Sequence, residues 1–137
     1  MKSTIPRSDC PLSYSLDILG DKWTLLILRD MMLSGKSSFS EFMGSTEKIA
    51  SNILIDRLNM LQSEGFVTRT VSPLNKSKFL YTLSEKSIEL VPVVIDLIEW
   101  GAKYHPTGEP KSILPQVLRN KSRTIKELQE RLREGNE

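Results

Sequence analysis

The sequence predicts a winged helix-turn-helix, a mostly helical α+β fold in which two helices joined by a short turn precede a small antiparallel wing of two to three strands. Three observations support this prediction. Apolar residues recur at helical spacing through most of the chain, a short glycine-containing turn separates two helical segments, and the period changes to two after residue 66. One further helix, predicted over approximately residues 85–104, carries more apolar surface than one core can use, so we expect part of it to meet a partner chain.

Composition is that of a folded protein. The chain has 137 residues, of which 39% are hydrophobic and 26% charged, so it is long enough to bury a core. The net charge is +2, and the basic excess lies after residue 106. There is no apolar run of roughly 18 residues and no hydrophobic signal core, which predicts a cytoplasmic protein without membrane attachment. We expect one domain over residues 1–106 and a partly helical C-terminal extension over residues 107–137.

The first two predicted helices lie between Cys10 and Leu33. Pro11 suits the first position of a helix, where its missing N–H costs nothing, and Gly20 suits the stop. Cys10 is therefore expected at or beside the N-cap. Asp21 then begins a second helix whose apolar residues surround the axis on nearly all sides, which predicts a central, buried helix.

The helix-turn-helix follows. Ser38 and Glu41 have the spacing of a capping box, which predicts the start of a short third helix. A turn over residues 44–48 leads into the stretch around which the chain is organised, residues 46–66, which we interpret as the fourth helix. Gly65 is placed to end it.

On a helical wheel, the fourth helix has an apolar arc that would face the core and an opposite arc of short polar groups. The outer arc consists of Ser51, Asn52, Ile55, Asp56 and Asn59. Asparagine can pair with adenine through two atoms, serine can donate or accept, and an aliphatic side chain can contact a thymine methyl. The arc therefore predicts a helix that enters a DNA groove, although an ordinary amphipathic helix with a polar outside fits the same residues.

After residue 66, apolar residues alternate with polar ones, which predicts two strands. The connection Ser72–Ser77 is too long for a tight hairpin. Asn75, Lys76 and the adjacent Lys78 form a protruding basic tip, which we expect to lie along the phosphates or to reach the minor groove.

Ser84 is predicted to cap a helix over approximately residues 85–104, which Pro92 should kink or divide. This helix has two apolar faces, and we expect one of them to meet a partner chain. The extension begins with a linker composition and ends in a charged amphipathic segment over residues 122–134, expected either to pack on the dimer or to fray.

Several motifs occur in a fixed order along the chain. They are Cys10-Pro11-Leu12, the LDILGDKW run of residues 16–23, the IASNILIDRL run of residues 49–58, the YTLS run of residues 81–84, and Pro92-Val93-Val94 leading to Glu99-Trp100-Gly101. With these motifs the chain resembles the HxlR family of bacterial transcription regulators from about Cys10 to His105. The resemblance implies a winged helix related to the MarR group, a homodimer built from terminal helices, and binding to a palindromic operator. The chain departs from the family at Ser87, where glycine is usual, and in the extension, which lies beyond the family core.

The DNA contacts are assigned by side-chain chemistry. Ser51, Asn52 and Ile55 are predicted to contact base edges; Lys48, Lys76 and Lys78 to hold phosphates; and Ser38, Asn75 and Ser77 to make lesser backbone contacts. Arg57 projects toward the core side, so we assign it an intramolecular ion pair. Asp56 lies beside the outer arc, where a carboxylate is unfavourable near phosphates, so it is expected to pair with a base amine, a water or a basic neighbour.

Cys10 is a candidate sensor. Several members of the family sense electrophiles or oxidants through a cysteine in the same Cys-Pro context, and a thiol at a helix N-terminus is favoured as thiolate. Arg7 would add to this effect and Asp9 would oppose it. The alternative is a small capping or packing residue without reactivity. A small-molecule electrophile or oxidant is the partner that the first interpretation implies.

The two alternatives to a DNA-binding regulator are a protein-interaction module and an enzyme. Winged helices also serve as protein-interaction modules without DNA binding. An enzyme is not expected, because the chain has one histidine, one cysteine and neither a glycine-rich phosphate loop nor a Gly-x-Ser-x-Gly motif, and no metal or cofactor is expected either. Five residues could line a ligand pocket between dimer helices, but their helical spacing favours core packing: they are Tyr14, Trp23, Met31, Met32 and Trp100.

Overall fold

A computed structural model describes residues 8–105 and 113–135 of the chain. These residues form helices and a two-stranded antiparallel sheet in two compact units, divided between Thr82 and Leu83. The second unit includes the extension, which packs on the helices that follow the sheet.

The described elements follow the predicted order. They are α1 (Pro11–Leu19), α2 (Lys22–Ser34), α3 (Phe39–Met43), α4 (Ser51–Ser63), β1 (Val67–Val71), β2 (Phe79–Leu83), α5 (Glu85–Ile88), α6 (Val91–Tyr104), α7 (Leu114–Arg119) and α8 (Lys121–Glu134).

In the first unit, α2 is the central helix, as predicted. Asp21 is its N-cap, and one carboxylate oxygen accepts the backbone N–H groups of Trp23 and Thr24, both at 3.0 Å. The buried residues of α2 are Thr24, Ile27, Leu28, Asp30, Met31 and Met32. Helices α1 and α4 pack against it, so α2 is the frame on which the helix-turn-helix is built.

The capping box at the start of α3 is confirmed. The Ser38 hydroxyl accepts the N–H of Glu41, and the Glu41 carboxylate accepts the N–H of Ser38 at 3.1 Å. The reciprocal bonds satisfy two N–H groups that the helix itself leaves unpaired.

Helix α4 begins later than the sequence indicated. Residues 46–49 belong to the turn, and Ala50 is the N-cap. Lys48 has a φ of 54°, a left-handed conformation that a right-handed helix cannot include. At the other end, Gly65 has a φ of 80°, and the N–H of Phe66 donates to the carbonyl of Leu61 at 2.8 Å, which closes the helix as predicted.

The wing consists of β1 and β2. The Ser72 N–H donates to the Lys78 carbonyl at 2.8 Å beyond the ends of the strands. The Tyr81 N–H donates to the carbonyl of Ser37 at 2.8 Å, so the segment before α3 adds one backbone bond to the sheet edge without forming a third strand.

In the second unit, Pro92 divides the predicted long helix into α5 and α6 and lies in the first turn of α6, where it fits. The described part of the extension packs within this unit. Leu128 of α8 is 2% exposed, and α8 packs against α5 and α6 of its own chain. The Gln129 side chain donates to the carbonyl of Ile88 at 3.0 Å, which ties α8 to the end of α5.

Candidate nucleic-acid interface

The outer face of α4 is open to solvent. Ser51, Asn52 and Ile55 are exposed, with Ile55 at 50%, whereas Leu54 and Leu58 on the opposite face are 0% and 1% exposed. The three residues predicted to contact bases therefore lie close together, at positions 1, 2 and 5 of α4. A short surface of amide, hydroxyl and aliphatic groups on a helix is suited to the edges of bases in a major groove.

The turn before α4 presents a basic side chain beside the helix N-terminus. Lys48 is exposed, and its N–H donates to the Ser45 carbonyl at 3.1 Å. The first N–H groups of any α-helix lack partners within the helix, and together with a lysine they favour an anion such as a phosphate.

Arg57 lies on the side of α4 that faces α2. Its Nε donates to Oδ1 of Asp21 at 3.0 Å, and Nη1 contacts the Asp56 carboxylate. The predicted intramolecular ion pair is confirmed, and Asp56 pairs with a basic neighbour. Burial alone would raise the pKa of Asp21, but hydrogen bonds from Thr24 and Arg57 outweigh it and hold this pKa well below its usual range.

A second arginine, which the sequence analysis did not single out, holds the turn. Both terminal nitrogens of Arg29 donate to Glu47, at 3.0 and 2.9 Å, and Nη2 also donates to Asp30 at 2.7 Å. Hydrogen bonds from Arg29 lower the pKa of Glu47 to about 2 against the opposing effect of burial. The Lys36 ammonium lies 3.5 Å from the other carboxylate oxygen of Asp30, so the Asp30 carboxylate has a second positive charge beside it.

Ser38 does not belong to this surface. It is 1% exposed, and its hydroxyl donates to the Glu41 carboxylate at 3.0 Å as part of the capping box. Ser38 was predicted to make a lesser contact with the DNA backbone, and at this exposure little of its surface is open to solvent.

The tip of the wing is exposed at each of the four predicted residues, Asn75, Lys76, Ser77 and Lys78. The Asn75 carboxamide oxygen accepts the N–H of Ser77 at 3.1 Å and its hydroxyl at 2.7 Å. These bonds fix the turn. Asn75 and Ser77 therefore shape the loop that carries the two lysines.

Arg69 is a basic residue of the wing that sequence reasoning missed. Its guanidinium lies over the ring of Phe79, 4.3 Å from the centroid, and both side chains are exposed. Such stacking holds an arginine in place at low cost. A cation on one strand and an aromatic residue on the facing strand were visible in the sequence and could have identified the pair.

Cys10 is at the N-cap of α1, as expected, and is exposed. The Tyr14 N–H donates to its carbonyl at 3.0 Å, so the backbone of Cys10 is part of the first helical turn. The thiol is accessible to a dissolved reagent.

The residues suggested for a ligand pocket between dimer helices differ in their burial. Met31 and Met32 are buried in the core, whereas Tyr14 and Trp100 are exposed at 41% and 67%. The second unit has an open groove of about 720 Å³ between α6, α7 and α8, in which Trp100 and Leu118 lie. Among the described residues, no group of three histidines, cysteines or acids is arranged to hold a metal ion, and no helix there is long and apolar enough to cross a membrane.

Comparisons with known proteins agree with the helix-turn-helix fold. The model of the HxlR-like helix-turn-helix family matches residues 18–109. The Bacillus subtilis protein YdeP, described as an uncharacterized HTH-type transcriptional regulator, is 35% identical over 95 residues, which cover 69% of this chain and 73% of YdeP.

Two solved structures are also similar. The redox regulator HypR in its reduced form has a TM-score of 0.61 at 31% identity, covering 70% of this chain and 94% of that chain. The reduced form of the transcriptional regulator YodB from B. subtilis has a TM-score of 0.56 at 29% identity, covering 71% and 95%. The family match ends before α7 and α8.

Proposed function

We propose that this chain, which belongs to the HxlR family of helix-turn-helix transcriptional regulators, binds a palindromic operator as a homodimer and contacts its bases with the outer face of α4. The observation that carries the proposal is the exposure of Ser51, Asn52 and Ile55 opposite the buried Leu54 and Leu58. A helix whose inner face is fully packed and whose outer face bears short polar groups is preorganised for a groove.

The remaining contacts are made to the phosphates. Lys48 beside the N-terminus of α4, and Lys76 and Lys78 on the wing tip, are exposed cations of the first unit. Asn75 and Ser77 hold the wing tip in shape. Phosphate contacts of this kind set the register of the protein on the duplex without carrying sequence information.

The homodimer is supported by an exposed apolar stripe on α6. Val93, Leu97, Trp100 and Tyr104 follow one another at intervals of four, three and four residues, the spacing of a seam between two packed helices. Leu97 and Trp100 are 51% and 67% exposed, and a second copy of the chain would remove them from water. On α1, Leu12 and Leu16 form a second exposed apolar pair.

The binding test uses a duplex selected by the protein from a random pool, with Asn52→Ala and Lys76→Ala compared on it. Loss of a base contact at Asn52 should cost about 1–3 kcal/mol on the selected sequence and relax specificity at one or two positions. Loss of a phosphate contact at Lys76 should weaken all sequences alike and lower the slope of log affinity against log salt by about one. Equal behaviour of the two variants would contradict the assigned roles.

The same selection distinguishes operator binding from the alternative function, a protein-interaction module. A protein-interaction module of the same fold would enrich no sequence from the pool. An enriched palindrome supports the operator, and two half-sites one helical turn apart support the dimer.

Cys10 is proposed to make this binding responsive to an oxidant or electrophile. The thiol is exposed at a helix N-terminus, and structures similar to this chain include HypR in reduced and oxidised forms and a diamide-treated YodB. Cys10 is the sole cysteine, so oxidation by diamide would join two chains, or one chain and a small thiol, through a disulfide. Each disulfide releases two protons and two electrons to the diamide.

The test follows operator binding and mass under non-reducing conditions after diamide treatment. The wild-type protein should change in both measurements and Cys10→Ser in neither. An unchanged wild-type protein, or a Cys10→Ser variant that responds equally, would exclude sensing through this thiol.

A further inference from the structure

We propose that Arg29 and Arg57 are positioning residues, which hold the recognition helix α4 and the turn before it on α2, and that neither arginine contacts DNA. This inference rests on the proposed operator binding and adds the means by which the outer face of α4 is held at a fixed angle. In a DNA-binding domain an arginine is ordinarily assigned to a phosphate. The geometry here directs both guanidinium groups to carboxylates of the protein itself.

Arg57 ties the middle of α4 to the start of α2. Its Nε donates at 3.0 Å to the same Asp21 oxygen that accepts two N–H groups of the first turn of α2. The Thr24 hydroxyl donates to the other Asp21 oxygen at 2.6 Å, so the carboxylate has little freedom to turn. The side chains of Arg57 and Asp21 are 24% and 19% exposed. An ion pair at this depth, with its acid held by three further hydrogen bonds, restrains the rotation of α4 about its own axis.

Arg29 ties the turn to the same helix. It extends from α2 and binds both oxygens of Glu47 in a fork, while its Nε and Nη2 hold Asp30, whose side chain is 8% exposed. Glu47 directly precedes Lys48, the residue with a φ of 54°. The fork fixes the carboxylate in two directions, which stabilises the left-handed turn that directs the chain into α4.

The two ties act on different parts of one surface. Arg57 restrains the helix that carries the base contacts, and Arg29 restrains the residue before the phosphate-binding Lys48. Hydrogen bonds between a side chain and a base edge weaken steeply when the angle departs from linear, so a small rotation of α4 would impair several contacts together. The positive charges of Arg29 and Arg57 are already paired with carboxylates at short range, so they contribute little to the attraction of phosphates.

Glu47→Ala gives a test that depends on the sign of the effect. This substitution removes a negative charge near the proposed interface, and by charge alone it should strengthen binding to DNA. Positioning predicts the opposite: binding to the selected duplex weakens by about tenfold, a difference of about 1.4 kcal/mol. Glu47 is exposed, so the variant is expected to fold, which thermal unfolding followed by circular dichroism would verify. Equal or tighter binding by a folded Glu47→Ala variant would overturn the role of the Arg29 tie.

Arg57→Met is tested by its salt dependence. Positioning predicts binding weakened by about tenfold with the slope of log affinity against log salt unchanged, because no phosphate contact is lost. A slope lower by about one, as expected for Lys76→Ala, would show that Arg57 contacts a phosphate. Unchanged affinity would show that the tie has no effect on binding. Either result would overturn the role of Arg57.

Arg123→Met is the matched control. Arg123 is an exposed arginine of α8 with an ion pair to Glu127 one helical turn away, and its loss should leave affinity and slope unchanged. A wild-type protein that enriches no duplex would refute the proposed function. If the wild-type protein enriches a duplex and both Glu47→Ala and Arg57→Met bind that duplex as tightly as the wild type does, this inference is refuted and the proposed function is not.

Discussion

At the scale of residues, the turn before α4 depends on a carboxylate kept ionised. Glu47 is bonded to Arg29 on both oxygens and also accepts the hydroxyl of Ser45 at 2.8 Å. Protonation of the Glu47 carboxylate would make it a poorer acceptor and would weaken these hydrogen bonds. The folded state therefore favours the ionised form, and the stability of this turn depends on pH.

The pH dependence has a definite sign. Glu47 has a pKa of about 2 in the folded chain against an ordinary value of 4.5, so its contribution to stability is complete above about pH 4.5 and is lost as the pH falls toward 2. We expect the free energy of unfolding of the wild-type protein to exceed that of Glu47→Gln at neutral pH, and the difference to shrink over this window. Urea unfolding at a series of pH values measures it. Asp21, Glu41 and Glu85 also have lowered pKa values and affect both proteins alike, so a constant difference would contradict the prediction.

Sequence reasoning predicted the exposure of the candidate site residues on α4 for a clear physical reason. Periodicity assigns each residue of a helix to an inner or outer face, which was enough for Ser51, Asn52 and Ile55. Periodicity could not decide whether the Ser38 hydroxyl is buried in a helix cap or exposed, because a serine at an N-cap is equally suited to a surface contact. The Arg29 fork to Glu47 joins residues 18 positions apart in different elements, and no local pattern specifies such a contact.

At the scale of elements, local signals predicted most helix ends. A capping box, a proline in the first turn and a glycine at the stop act within a few residues, so the starts of α3 and α6 and the end of α4 followed from the sequence. The start of α4 did not, because Lys48 takes a left-handed conformation within a turn that α2 holds through Arg29. The contact of Arg29 with Glu47 joins separate elements, and no local pattern in the sequence specifies it.

Helix α8 should be a stabilising part of the second unit. Leu128 is 2% exposed, and Leu128→Ala would leave a cavity where α8 packs against its neighbours. We expect a loss of about 2–5 kcal/mol in the free energy of unfolding, measured with urea. Leu74→Ala is the matched control, since Leu74 is 97% exposed and its loss should change stability by no more than about 0.5 kcal/mol. Similar losses in the two variants would mean that α8 is not packed as described.

At the scale of the whole molecule, the extension changes how the chain is divided. Its linker composition near residue 106 suggested an appendage, but the apolar side of α8 packs against α5 and α6, and Arg133 forms a forked pair with Glu85 at 2.8 and 2.7 Å. Amphipathic spacing predicted that α8 has a face to bury. It did not specify what would cover that face, because the pattern is the same for an intramolecular contact and for a partner chain.

The stripe on α6 predicts assembly. Leu97→Glu places a charge within the proposed seam, and we expect the protein to sediment as a monomer where the wild type sediments as a dimer. The affinity of Leu97→Glu for the palindromic duplex should also be lower than that of the wild type, because a monomer would bind each half-site separately. Leu74→Glu, with the same change at a fully exposed position of the wing, should remain dimeric. A monomeric wild-type protein, or a dimeric Leu97→Glu, would contradict this assembly.

Trp100, which lies 5.1 Å from Tyr104 between ring centroids, also provides an optical signal. An indole transferred from water to an apolar contact emits at shorter wavelength, so a dilution series would report dissociation without any attached dye. The chain has two tryptophans, and Trp23→Phe would leave Trp100 as the single emitter. The same spectrum, recorded during titration with operator or oxidant, would show whether either one changes the pairing of the chains.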